Sequence, residues 1–199
     1  ATVASGQTLT NAGTIDMDGT SSLTVDSGAT LQQAGSVNGG TVAGAGAITK
    51  YVARVGNTGY ESLEAALDAV KASGGTITLL QNATLDNANY TISKPVTIQG
   101  AGTIDATVAD GASTIGFRIN DDASLTLDGV TMNIKGTTAD SSEEGNDGTA
   151  IELQNGGSLL VKNGASLNLT NLNRGMIMTG TPAPVKTAVS VEDATLTAK

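Results

Sequence analysis

Polar and aliphatic residues alternate along this chain in very short stretches. Thr8-Leu9-Thr10, Thr14-Ile15-Asp16-Met17, Ser22-Leu23-Thr24-Val25, Ala29-Thr30-Leu31 and Gly40-Thr41-Val42 all have period two, and turn-forming residues separate them. Leu9, Ile15, Leu23, Leu31 and Val37 follow one another at steps of 6, 8, 8 and 6. Period two is the mark of a half-buried strand. Strands this short are poor material for free-standing hairpins. Their regular recurrence predicts a repeat array instead.

Residues 51–75 interrupt the pattern. Tyr51-Val52-Ala53-Arg54-Val55 predicts a strand and Gly56-Asn57-Thr58-Gly59 a turn. A helix is predicted over about residues 61–72, because Leu63, Ala66, Leu67 and Val70 fall at i, i+3, i+4 and i+7. Glu61 and Glu64 suit its first turn, Lys71 suits its last, and Gly74-Gly75 end it. Short strands then resume, among them Thr76-Ile77-Thr78-Leu79-Leu80, Val96-Thr97-Ile98, Ser124-Leu125-Thr126-Leu127 and Ser158-Leu159-Leu160-Val161. Ile151, Leu159 and Leu167 recur at every eighth position, as do Leu153, Val161 and Leu169. Asp128-Gly129, Asn155-Gly156-Gly157 and Asn163-Gly164 supply corners.

Backbone hydrogen bonding decides what such strands build. Each short strand has two edges of N–H and C=O groups that need partners. A coil supplies them. The chain turns after each strand, completes a rung of roughly 20–30 residues, and pairs in parallel with the rung below at about 4.8 Å. A repeating unit this short gives three strands per rung. Residues 76–199 then hold roughly 4–6 rungs, and residues 1–50 roughly two more. The helix would lie across the open end of the second coil, with Leu63, Leu67 and Val70 plugging the column that begins at Ile77. Three parts are expected: 1–50 short Gly/Thr-rich β-solenoid repeats, 51–75 strand plus capping helix, and 76–199 parallel β-helix.

Composition narrows the picture. Aromatic residues make up 2% of the 199, so Val, Ile, Leu, Ala and Met must fill the interior, which suits a slender core. Charged residues are only 15%, leaving polarity to Thr, Ser, Asn, Gln and Gly. There is no His and no Cys, which excludes His- or Cys-based catalytic triads, disulfides and the usual zinc cages. The net charge of −9 argues against a nucleic-acid partner. No apolar run approaches the roughly 18 residues of a membrane helix. Ala1 and Lys199 both fall in mid-pattern, so the chain is expected to be a piece of something longer.

The stretch Val52 to Val70, followed by Gly75-Thr76-Ile77-Thr78-Leu79-Leu80, resembles a recurrent module of large bacterial surface proteins. Ile92-Ser93-Lys94-Pro95-Val96-Thr97-Ile98-Gln99-Gly100 and Leu125-Thr126-Leu127-Asp128-Gly129-Val130-Thr131-Met132 resemble its later rungs. The resemblance covers about residues 51–134, and the rest only by pattern. It implies an all-β fold: a right-handed, single-stranded parallel β-helix of the pectin-lyase-like type, with one short amphipathic capping helix. The segment before Tyr51 looks like the repeats of secreted adhesins and autotransporter passengers. The fold hosts adhesins, stalks and polysaccharide-cleaving enzymes alike, so function must be sought in a site.

Two chemistries remain open to such an enzyme without His. One is β-elimination with a basic residue and Ca²⁺, and the other is hydrolysis by a carboxylate pair. The candidate bases are Arg118, Lys135, Lys162 and Arg174, and the candidate carboxylates Asp105, Asp121, Asp122, Asp128 and Asp147. An enzyme would need three or more carboxylates and an Arg stacked on one face of adjacent rungs. Asp121-Asp122 fits a turn, Phe117 fits the core, and the acidic run 140–147 fits a solvated loop better than a calcium site. Sugar-binding aromatic platforms are limited to Tyr51, Tyr60, Tyr90 and Phe117. No residue is assigned a catalytic, cofactor-binding or metal-binding role, and no cofactor is expected. The expected function is a non-catalytic adhesin or stalk of a bacterial surface or secreted protein. Glycans or surface proteins would be its ligands, and the chain a monomer or weakly associated end to end. A polysaccharide lyase or glycoside hydrolase-like enzyme is the alternative.

Overall fold

The alternating stretches become short strands in the computed structural model of the chain, which describes residues 1–109, 114–137, 148–172, 174–180 and 187–198. The first series comprises β1 (Thr2–Val3), β2 (Thr8–Asn11), β3 (Thr14–Asp16), β4 (Ser22–Val25), β5 (Thr30–Gln33), β6 (Ser36–Asn38), β7 (Thr41–Gly44) and β8 (Ala47–Lys50). Then come β9 (Ala53–Val55), β10 (Thr58–Tyr60) and the helix α1 (Leu63–Val70). A second series follows, with β11 (Gly75–Leu79), β12 (Ala83–Leu85), β13 (Tyr90–Ile92), β14 (Val96–Gln99), β15 (Thr103–Val108) and β16 (Ile115–Ile119). It continues through β17 (Ser124–Asp128), β18 (Thr131–Gly136), β19 (Thr149–Gln154), β20 (Ser158–Lys162), β21 (Ser166–Thr170) and β22 (Arg174–Thr179). It closes with β23 (Ala188–Glu192) and β24 (Thr195–Ala198).

Every third strand is a neighbour. The sheets run β1-β4-β7, β2-β5-β8 and β3-β6 in the first series. In the second they run β11-β14-β17-β20-β23, β12-β15-β18-β21-β24 and β13-β16-β19-β22. Strands are parallel throughout, except where β9 pairs antiparallel with β10 and β11. The described residues are therefore all-β with one helix, built of mostly parallel strands in stacked sheets, an arrangement compatible with a β-solenoid. Among the described residues, the second series makes four three-strand rounds and a two-strand fifth. The first series makes two rounds and a two-strand third. Among the described residues, no helix is long and apolar enough to cross a membrane.

Register stacks the aliphatic residues into columns. Ile77, Ile98, Leu127, Val161 and Val191 form one; Ala83, Ile104, Met132, Leu167 and Leu196 form another. The shared phase of Ile151, Leu159 and Leu167 has a different meaning. They sit in β19, β20 and β21, so that repeat measures one strand and its corner, not one round. Round length varies with the corner loops: the round from Ile77 to Ile98 is much shorter than the round from Leu127 to Val161. The buried residues form two separate clusters, a small one around Val3, Leu23, Val25 and Leu31 and a large one running through the second series.

The helix begins where its capping chemistry starts. Ser62 is extended (φ −141°, ψ 160°) and its Oγ accepts a hydrogen bond from the Ala65 N–H at 3.2 Å, so Glu61 falls outside the helix. Leu63, Ala66, Leu67 and Val70 are buried, and the helix packs on β9, β10, β11 and β12, where the second series of strands starts. The predicted turn is shorter than expected. Only Gly56-Asn57 turn, and Thr58–Tyr60 form a strand, because β9 rests on β11 and so supports the hairpin. Gly59 is needed there, since a Cβ would run into the Tyr51 ring. The interior also admits one ring. Phe117 is fully buried, stacks on Tyr90 at 5.5 Å between centroids, and shares a column with Ile151 and Met176.

Candidate functional site

Alternation that sends Ile104, Met132 and Leu167 inward sends their neighbours outward. On the β15-β18-β21-β24 face this makes three rows. One is Thr103, Thr131, Ser166 and Thr195; the next is Asp105, Asn133, Asn168 and Thr197; the third is Thr107, Lys135 and Thr170. Rows repeat at about 4.8 Å along the stack and stand about 6.7 Å apart along each strand. The central row is hydrogen-bonded as a ladder. Asn168 Nδ2 donates to Asn133 Oδ1 at 2.9 Å, and Asn133 Nδ2 donates to Asp105 Oδ1 at 2.7 Å. All donors point one way and end on a carboxylate, which strengthens the chain of bonds.

Other candidates are held in pairs. Asp128 on β17 lies 3.3 Å from Lys162 Nζ and accepts from Asn163 Nδ2 at 2.8 Å. The Asn163 hydrogen bond and the Lys162 charge hold its carboxyl below the usual range. Lys162 stands in register with Glu192 on its other side. On the third face Arg118 Nε donates to Glu152 Oε2 at 2.6 Å, and Thr179 Oγ1 donates to Glu152 Oε1 at 2.7 Å. Burial pushes the Glu152 carboxyl up, but the hydrogen bonds from Arg118 and Thr179 outweigh it and leave the group below its ordinary value.

The remaining candidates stay apart. Asp121 and Asp122 occupy an exposed turn with φ of 56° and 61°, where Asp is tolerated, and this matches the turn expectation. Arg174 is exposed on β22, in register with Thr149, and Lys135 is exposed beyond the Asn133 row. Asp147 and the acidic run 140–147 lie outside the described residues. Among the described residues, no face stacks three carboxylates with an Arg, and no group of three acidic side chains is placed to hold a metal.

Two clefts flank the helix. One of about 110 Å³ lies between Leu67, Lys71, Tyr90 and Lys94. Burial, then the charges of Glu64 and Asp68, push the Tyr90 hydroxyl there up to about 12. The other, about 240 Å³, is bounded by Glu61, Glu64, Asn82, Thr84 and Asp105. Both are smaller than the roughly 300–1,000 Å³ of sites that enclose a small molecule. The amide ladder was missed in sequence because round length is uneven. A usable mark was present: Thr103-Ile104-Asp105-Ala106, Thr131-Met132-Asn133-Ile134 and Ser166-Leu167-Asn168-Leu169 all read hydroxyl, aliphatic, Asp or Asn, aliphatic. No protein-family model, no curated protein and no solved structure matches the chain.

Proposed function

We propose that the chain is a non-catalytic segment of a right-handed, single-stranded parallel β-helix of the pectin-lyase-like type. It belongs to a secreted or surface-exposed bacterial protein and acts as a stalk or adhesion surface for glycans. One observation carries this reading: the ordered, largely neutral grid of hydroxyls and amides around Asp105, Asn133 and Asn168. Fixed rows of donors and acceptors suit the repeated hydroxyls of a saccharide chain. Each contact is weak, and many together give avidity. The paired state of Asp128 with Lys162 and of Glu152 with Arg118 supports structural roles for those groups rather than acid–base work.

Display on a multivalent surface probed with neutral and acidic glycans tests it. Binding that falls when Asn133→Leu breaks the ladder, in a variant whose far-ultraviolet spectrum is unchanged, is the expected result. Incubation with pectate, alginate and glycosaminoglycans should release no unsaturated ends. Robust turnover of any of them would establish the enzyme alternative and end the stalk reading.

A further inference from the structure

Two faces of the first coil are three strands deep, and the third stops at two, β3-β6. After β8 the chain departs. Tyr51 N–H still donates to the Gln33 carbonyl at 3.1 Å, but Val52 N–H already pairs with the Tyr60 carbonyl at 2.8 Å. Among the described residues, no strand lies below β6. Ser36 N–H donates to the Gly13 carbonyl and the Asn38 carbonyl accepts from Met17 N–H, both at 2.9 Å, so Ser36 and Asn38 turn their backbones toward β3. By the alternation of a parallel ladder, Val37 turns its N–H and C=O the other way. Beside them lies a cleft of about 290 Å³, lined by Gln33, Val37, Gly39, Gly40, Val42, Ile48 and Lys50, with Ile48 37% exposed. The second coil begins under α1; this end of the first has no such cover among the described residues.

We infer that the β6 edge is a strand-addition site for an extended peptide segment of hydroxyl, β-branched and amide residues in that order. The backbone groups of Val37 supply main-chain pairing, and the Val37, Val42 and Ile48 side chains within the cleft receive the central side chain. The existing rows specify the pattern. Thr14 stacks on Ser36, Ile15 on Val37 and Asp16 on Asn38. Asn38 Nδ2 is spent on Asp16 Oδ1 at 2.7 Å, so a row continued in the same sense would bring a donor to Asn38 Oδ1. An amide side chain supplies one, and a carboxylate does not. The mode differs from glycan contact on the flat face, and neither depends on the other.

The test is an NMR titration of the isotope-labelled full chain with acetyl-Gly-Ser-Val-Asn-Gly-amide. Shifts at Val37, Gly39 and Ile48, with slowed exchange of the Val37 amide proton, are expected. The same peptide with Asp in place of Asn should bind more weakly. Ile48→Lys, at a solvent-exposed position, should fold normally and lose about tenfold or more in affinity. Absence of shifts at Val37 under excess peptide overturns the inference, as does equal binding by Ile48→Lys. If sedimentation shows a wild-type dimer that Ile48→Lys dissolves, the edge belongs to a second copy and the peptide assignment falls.

Discussion

Replacing Glu152 by Gln isolates the energetic meaning of the Arg118–Glu152 pair. The residue is 6% exposed, and its two oxygens accept from Arg118 Nε and Thr179 Oγ1. Gln keeps one acceptor oxygen and sets an NH₂ against the other donor. A hydrogen bond to a charged group is worth about 1.5–3 kcal/mol. The Arg118 side chain is 37% exposed, so water compensates much of its loss, and the discounted cost is about 1–2 kcal/mol at neutral pH. For a chain of this size that lowers Tm by about 2–8 °C. The sign of the pH dependence follows from the depressed carboxyl. Its contribution is complete above the unfolded value of 4.5 and is lost as pH falls through the lower folded value. Urea unfolding of both proteins, followed by circular dichroism from neutral pH downward, should show a gap that closes in acid. A gap that stays constant with pH, or a variant as stable as wild type at neutral pH, would refute the reasoning.

Three further outcomes are expected. Phe117→Ala empties a fully buried site beside Tyr90 and should cost about 3–5 kcal/mol in denaturant unfolding. Gly157→Ala should cost about 1–3 kcal/mol by the same measure, because the added methyl runs into the Ile119 carbonyl. In an ultraviolet titration Tyr90 should ionise near 12, a step absent from Tyr90→Phe; the unfolded phenol ionises near 10, so this group's contribution to stability fades as pH rises through that interval.

Much of the fold was written locally. Leu63, Ala66, Leu67 and Val70 mark a helix face in sequence and are the buried face in the structure. Period two around Leu125 and Leu127 set the inward column, because a strand residue has only two directions to point. What stayed hidden depends on contacts between distant residues. Nothing near Thr58 shows that β9 will lie on β11 and let a short hairpin form. Asp105, Asn133 and Asn168 come from three different rounds, so only the uneven loops between rounds determine that they meet. Arg118 and Glu152 join across a round for the same reason.

The stacking of parallel strands can be read directly with engineered disulfides, since the chain has no Cys of its own. Thr97 faces Thr126 and Gln99 faces Asp128 across β14 and β17. Adjacent strands lie about 4.8 Å apart, inside disulfide reach, whereas a two-residue offset stretches the separation to about 8 Å. Cysteine pairs at 97/126 and at 99/128 should therefore both oxidise readily, and pairs at 97/128 and 99/126 should not. Oxidation of the crossed pairs in place of the matched ones would mean antiparallel strands and would contradict the coil.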